Sequence, residues 1–173
     1  MKSNTLFLIG IAAAAATIAS PAWAHITLEN RQASPGSYYK AVFAVPHGCA
    51  GSATIRIRVQ IPDGVIAVKP MPKPGWTVET INSAYATSFQ LHGRTVSEGV
   101  REVVWSGKLA DDNYDEFVVS TYLTGSLKPD TMLYFPVVQE CEQGVSRWIE
   151  IPQDGKPRDS KSPAPGLKLV PKP

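Results

Sequence analysis

The stretch ATIRIRVQI, residues 53–61, decides the fold. Ile55, Ile57, Val59 and Ile61 fall on one side of an extended chain, and Arg56, Arg58 and Gln60 on the other. Side chains alternate across a strand with period two, so the stretch reads as a strand with one face on a core and one in water. IPDG at 61–64 supplies a tight turn at its end. Further β-rich runs at 38–45, 65–69, 75–81, 101–106, 116–123, 131–139 and 145–151 are separated by Gly, Pro and Asn/Asp turns. No stretch sustains the i, i+3, i+4 spacing of an amphipathic helix. EQG at 142–144 joins the last two runs as a hairpin. Short strands at this spacing predict an all-β fold, an antiparallel β-sandwich.

KPMPKPGW, residues 69–76, carries three alternating prolines. It can be neither helix nor interior strand, and is expected to cross an edge of the sandwich in an extended conformation rather than to serve as a PxxP ligand. The domain is expected to span residues 25–152. From 153 to 173 the chain is rich in Pro, Lys and Ser with few large apolar residues, which reads as a loose tail.

Residues 1–24 have the pattern of a cleaved signal peptide. Lys2 is a short basic start, residues 6–18 are apolar, and Ala22-Trp23-Ala24 is a small-x-small cleavage site. The apolar run is too short to span a membrane, and no other run of about 18 apolar residues follows. Removing 24 of the 173 residues leaves 149, enough for one exported domain, periplasmic or otherwise outside the cytoplasm. It also takes Lys2 from the 17 basic residues, leaving 16 against 15 acidic ones. So balanced a charge gives no case for nucleic-acid binding by counterion release.

Cleavage after Ala24 makes His25 the first residue, with a free α-amine beside its imidazole. The amine and the δ nitrogen can close a chelate ring on one metal, and such nitrogen donors suit tetragonal Cu(II). The bland reading is that His25 merely begins a strand. Glu29 shares its face in an extended HITLE segment, but four residues at about 3.3 Å each put it roughly 13 Å away, too far to share an ion. Cys49 and Cys141, in an oxidising compartment, read as one long-range disulfide, with free thiols or a thiolate metal pair as the alternatives. A disulfide would bring His47 and the last hairpin, with Trp148, to one place. In VSRWIEI the apolar register Val145, Ile149, Ile151 leaves Trp148 on the polar face with Ser146 and Glu150. There it either covers a neighbouring strand or walls a metal site.

Other signals carry less. Asp111-x-Asn113-x-Asp115 imitates the start of a calcium loop, but Glu116 stands where Gly is required, which leaves a solvated acidic turn. His92, in LHGR, reads as a turn residue. No G-x-S-x-G accompanies the serines. With Met71 and Met132 alone after processing, there is no methionine cluster for Cu(I).

His25 directly after A-W-A, YYKAVFAVPHGCAGSATIRIRVQIPDG, VKPMPKPGWTVET, DDNYDEF and YFPVVQECEQGVSRWIEIP together resemble the YcnI-like copper-binding family (DUF1775). The resemblance implies an immunoglobulin-like or cupredoxin-like sandwich that binds Cu(II) through a single-histidine brace at its mature N-terminus, near a tryptophan of the last hairpin. His25 matches the brace and Trp148 the tryptophan. A further carboxylate ligand known in the family has no clear match here. His47 is expected near its place, with Glu140 or Glu142 as weaker options. The function expected is copper acquisition, storage or delivery without catalysis, with an envelope copper transporter or chaperone as partner. The alternatives are an oxidative copper enzyme with a two-histidine brace and a metal-free envelope interaction module.

Overall fold

The computed structural model describes residues 25–152 and 161–172. The signal-peptide reading of residues 1–24 lies outside the described residues. Among those described, the chain forms twelve strands and no helix: β1 (Thr27–Leu28), β2 (Gln32–Ala33), β3 (Ser37–Val45), β4 (Thr54–Gln60), β5 (Val65–Pro70), β6 (Thr77–Leu91), β7 (Arg94–Leu109), β8 (Asp115–Leu123), β9 (Met132–Tyr134), β10 (Val137–Cys141), β11 (Val145–Trp148) and β12 (Gly166–Leu169). It follows that no helix among them is long and apolar enough to cross a membrane.

Two sheets make the sandwich. One has the order β1-β3-β8-β5 and the other β11-β10-β4-β7-β6, every neighbouring pair antiparallel. A small sheet, β2-β12-β9, closes one side. Burial alternates along β8, and β3 places Phe43 opposite Phe117 and Ala41 opposite Val119, all buried, with Val42 buried as well. Trp76 and Trp105 both pack edge-on to Phe117, at 4.8 and 5.4 Å between ring centroids. Each such buried aromatic or aliphatic side chain contributes about 1.5–3 kcal/mol relative to exposure.

In β4 the alternation slips once. Ile57, Val59 and Ile61 face the core as expected, but Ile55 is 36% exposed and Thr54 is fully buried. The register between β4 and β7 shifts between Thr54 and Arg56. An extra residue in a ladder flips every side chain beyond it, so the bulge ejects Ile55 and turns Thr54 inward.

The proline-rich crossing is as expected. β5 is the edge of one sheet and β6 the edge of the other, and residues 71–76 carry the chain between them. The run expected at 131–139 is two strands in different sheets, because Pro136 has no N–H for a ladder and the chain changes sheet there. β6 and β7 form a hairpin longer than the sequence suggested, turning at His92 and Gly93, both at positive φ (49° and 74°). The hairpin's tip returns to the first sheet, with the Tyr38 hydroxyl 2.9 Å from His92 Nε2.

The loose-tail reading of 153–173 is corrected where the chain is described. β12 pairs with β2 in parallel and with β9 antiparallel, and Leu167 and Leu169 are buried in the core. GLKL has the period of a half-buried strand, and its two leucines outweigh the Pro/Lys-rich surroundings. Residues 153–160 lie outside the described residues.

Gly107, in β7, faces the Trp76 ring so closely that an added Cβ would overlap it. Gly107→Ala is therefore expected to push Trp76 off Phe117 and cost about 1–3 kcal/mol, measured by chemical denaturation.

Candidate functional site

β1 is short, and the apolar residues on either side of Thr27 hold it. Ile26 and Leu28 are buried, while Thr27 pairs with Ala44 and Leu28 with Phe43 on β3. Carried on by two residues, that register sets His25 opposite Pro46, next in the chain to His47. His25 is half-buried, and its ring lies against the indole of Trp148, 5.2 Å between centroids at an interplanar angle of 57°.

Trp148 stands opposite Val137 in the β10–β11 pair, and Ser146 opposite Gln139. These are inward positions, so the face assignment made from sequence is reversed. Trp148 is 7% exposed, whereas Val145 is 50% exposed and Ile149 and Ile151 are also on the surface. β11 is an edge strand, and one indole covers more of the sandwich's open end than the smaller aliphatic side chains would. Trp148 belongs to the core, which is the covering role weighed for it, and its ring lies against that of His25.

What orients the indole is a residue the sequence reading passed over. Gln139 is 1% exposed and sits at an inward position of β10 between Val137 and Cys141. Its Oε1 accepts the Trp148 indole N–H at 3.1 Å, and its Nε2 donates to the His47 carbonyl at 2.7 Å and to Thr54 Oγ1 at 2.8 Å. A single amide therefore ties the tryptophan wall to the His47 loop. The available signal was a polar residue at an inward position of an alternating strand, which must find partners when buried.

The Cys49–Cys141 disulfide is present, with Cα atoms 5.9 Å apart and the two cysteines 92 positions apart in sequence. It fastens the loop after His47 to the end of β10 and is worth about 2–4 kcal/mol. His47 Nδ1 lies 2.6 Å from the Gly48 carbonyl, which must accept, so Nδ1 carries the proton and the lone pair of the neutral ring is on Nε2. A ring N–H given to a backbone carbonyl is also how metal-ligating histidines are oriented.

The carboxylates weighed as ligands are engaged elsewhere. Glu140 lies on the outward face of its sheet, 3.0 Å from Arg56 and 3.6 Å from Arg58, and Glu142 pairs with Lys108. The acidic turn at 111–116 packs by the His47 loop, with the Gly48 N–H directed at the Asp111 carbonyl at 3.4 Å. Within it the Tyr114 hydroxyl donates to Glu116 Oε1 at 2.6 Å. That bond, then partial burial and the charges of Glu116, Glu29 and Asp115, pushes the phenol up to about 12. Among the described residues no group of three or more His, Cys, Asp and Glu side chains is arranged to hold a metal. The geometry thus brings together His25, Trp148, Gln139 and the His47 loop, and leaves Glu140 and Glu142 out.

A crystal structure of an uncharacterized protein from Nocardia farcinica, described as having an immunoglobulin-like fold, resembles this one with a TM-score of 0.61. The match covers 84% of this chain and 98% of that one at 24% sequence identity, a likeness of fold. Comparison with curated proteins gives no match. The family model of the domain of unknown function DUF1775 matches residues 25–169, from the histidine against Trp148 to the last residue of β12. With its immunoglobulin-like sandwich and a match along most of its length, the chain belongs to the DUF1775 family.

Proposed function

We propose that the mature chain is an exported Cu(II)-binding protein that carries copper as cargo, for acquisition, storage or delivery, rather than using it in catalysis. The observation that carries this reading is the His25 ring held against Trp148 at the end of β1. Cleavage after Ala24 would free the amine at that point, giving two nitrogen donors from one residue. The His47 Nε2 lone pair would be a third. The donor set fits the metal, since nitrogen donors without thiolates favour tetragonal Cu(II) over a closed tetrahedral zinc site. The Trp148 N–H is committed to Gln139, so the indole shields the site without competing for the ion. An envelope copper transporter or chaperone in the periplasm would then be the partner.

The test is a titration of the mature protein, His25 first, with Cu(II). One equivalent is expected to give an axial EPR spectrum with nitrogen hyperfine structure and to quench tryptophan emission. Trp148→Phe is expected to remove most of that quenching, because Trp76 and Trp105 pack elsewhere, against Phe117. An unquenched wild-type protein would refute the placement of copper beside Trp148. His47→Ala is expected to lower affinity about tenfold, the lower end of the cost of disturbing a metal site's supporting groups, and to simplify the nitrogen hyperfine pattern. An unchanged spectrum and affinity would remove His47 from the ligand set.

A further inference from the structure

On one side β3 outruns its neighbour. β1 ends at Leu28, the Glu29 N–H still donates to the Val42 carbonyl at 3.0 Å, and beyond that point no described strand pairs with this side of β3. Backbone groups alternate in direction along a strand, so Lys40 and Tyr38 turn their N–H and C=O the same way as Val42. There a groove of about 600 Å³ opens, with Asn30, Gln32 and Ser34 on its other wall. That volume lies within the range of about 300–1,000 Å³ typical of small-molecule sites. The wall is braced through its backbone. The Tyr39 hydroxyl donates to the Asn30 carbonyl at 2.6 Å, and Ser37 Oγ to the Ser34 carbonyl, also at 2.6 Å. These bonds leave the side-chain amides of Asn30 and Gln32 exposed and, among the described residues, without a partner.

Tyr38 also lines the groove and is 61% exposed, yet its ring is held. It meets Tyr122 edge-on at 5.2 Å between centroids, and its hydroxyl lies 2.9 Å from His92 Nε2 at the tip of the β6–β7 hairpin. A ring fixed by two neighbours and otherwise open is a preformed platform, which loses little freedom when a ligand settles on it. We propose that the groove binds a chain of N-acetylated amino sugars. The polarised C–H bonds of a pyranose ring lie on the electron-rich face of Tyr38. An acetamido group has one N–H donor and one C=O acceptor, and the amides of Asn30 and Gln32 each offer both in return. The backbone groups of Lys40 and Tyr38 serve the sugar hydroxyls. A peptide added as a strand fits less well, because the free edge presents the backbone groups of Lys40 and Tyr38 alone before the chain turns at Gly36, where φ is 69°. The inference uses neither His25 nor Trp148 and stands apart from the copper reading.

The experiment titrates the metal-free mature protein calorimetrically with chitohexaose, a soluble hexamer of β-linked N-acetylglucosamine. One saturable site is expected. Tyr38→Ala is expected to weaken binding about tenfold or more, while Tyr38→Phe, which keeps the ring, stays within about threefold of the wild type. Because the alanine also removes the contacts to Tyr122 and His92, Gln32→Ala on the opposite wall is the independent variant. It is expected to weaken binding about fivefold with an unchanged denaturation midpoint. No saturable binding of chitohexaose, or equal affinity in the wild type and Tyr38→Ala, overturns the proposal. Cellohexaose, a similar chain without acetamido groups, is expected to bind more weakly, and equal affinity overturns the assignment to amino sugars. Tighter binding of polygalacturonate, or of a Thr/Val hexapeptide, also overturns it. The first would assign the groove to its lysines, Lys40 and Lys172, and the second to the free edge of β3.

Discussion

One extra residue in front of His25 lowers Cu(II) affinity by at least about 100-fold, on the proposed reading. The added peptide bond converts the amine into an amide, whose nitrogen has no lone pair available without losing its proton. The chelate ring opens, and the imidazole is left as a single donor. Loss of an outer-shell partner already costs a metal site about 10–100-fold, and the amine is itself a ligand, so the upper end of that range is a lower bound. The ring's position against Trp148 is set by β1, whose pairing to β3 and buried Ile26 and Leu28 do not depend on the amine. The extended protein should therefore fold as well as the mature one, with unchanged circular dichroism and denaturation midpoint. Competition against a chelator of known affinity measures the difference, and equal tight binding by both forms would sink the brace. The same chemistry fixes the sign of the pH dependence. Protons compete with copper for the amine and the imidazole, so affinity falls as pH is lowered and recovers as it is raised.

The sequence showed the sandwich because its strands carry their own pattern. Ile57, Val59 and Ile61 alternate with polar neighbours, and the prolines at 70, 72 and 74 mark an edge. What it could not show are features set by pairing partners. The bulge at Ile55 exists because β4 must match β7, and no local preference of Ile55 indicates it. GLKL reads as tail until β9 and β2 are beside it, since a four-residue strand is stable only through its neighbours. In the site, the Cys49–Cys141 link was expected from two cysteines far apart in sequence, and it is present. The facing of Trp148 was not legible, because alternation alone cannot say which face of an edge strand is covered, and the more numerous aliphatic side chains pointed the wrong way. Gln139 was legible only as an anomaly, a polar residue in an inward register whose partners come from β11, the His47 loop and β4.

That anomaly leads to the second large effect. Gln139→Leu is expected to destabilise the protein by about 3–5 kcal/mol. The substitution is close to isosteric, so little of the cost comes from packing. It leaves the Trp148 N–H, the His47 carbonyl and the Thr54 hydroxyl without their partner, at about 1–3 kcal/mol for each buried group left unsatisfied. Thr54 loses least, because its hydroxyl also lies 3.8 Å from Cys141 Sγ. Gln139→Glu separates the two halves of the arrangement. A carboxylate still accepts from the indole, but it has no N–H for the His47 carbonyl and places charge against it, so the loop is released while the tryptophan stays held. If Gln139 positions the proposed copper site as well as the core, both variants should bind Cu(II) more weakly at temperatures where they remain folded. The leucine variant should shift Trp148 emission in the metal-free protein, and the glutamate variant should not. Full stability in the leucine variant would mean that the three groups find other partners, and that the amide is not what joins the tryptophan wall to the histidine loop.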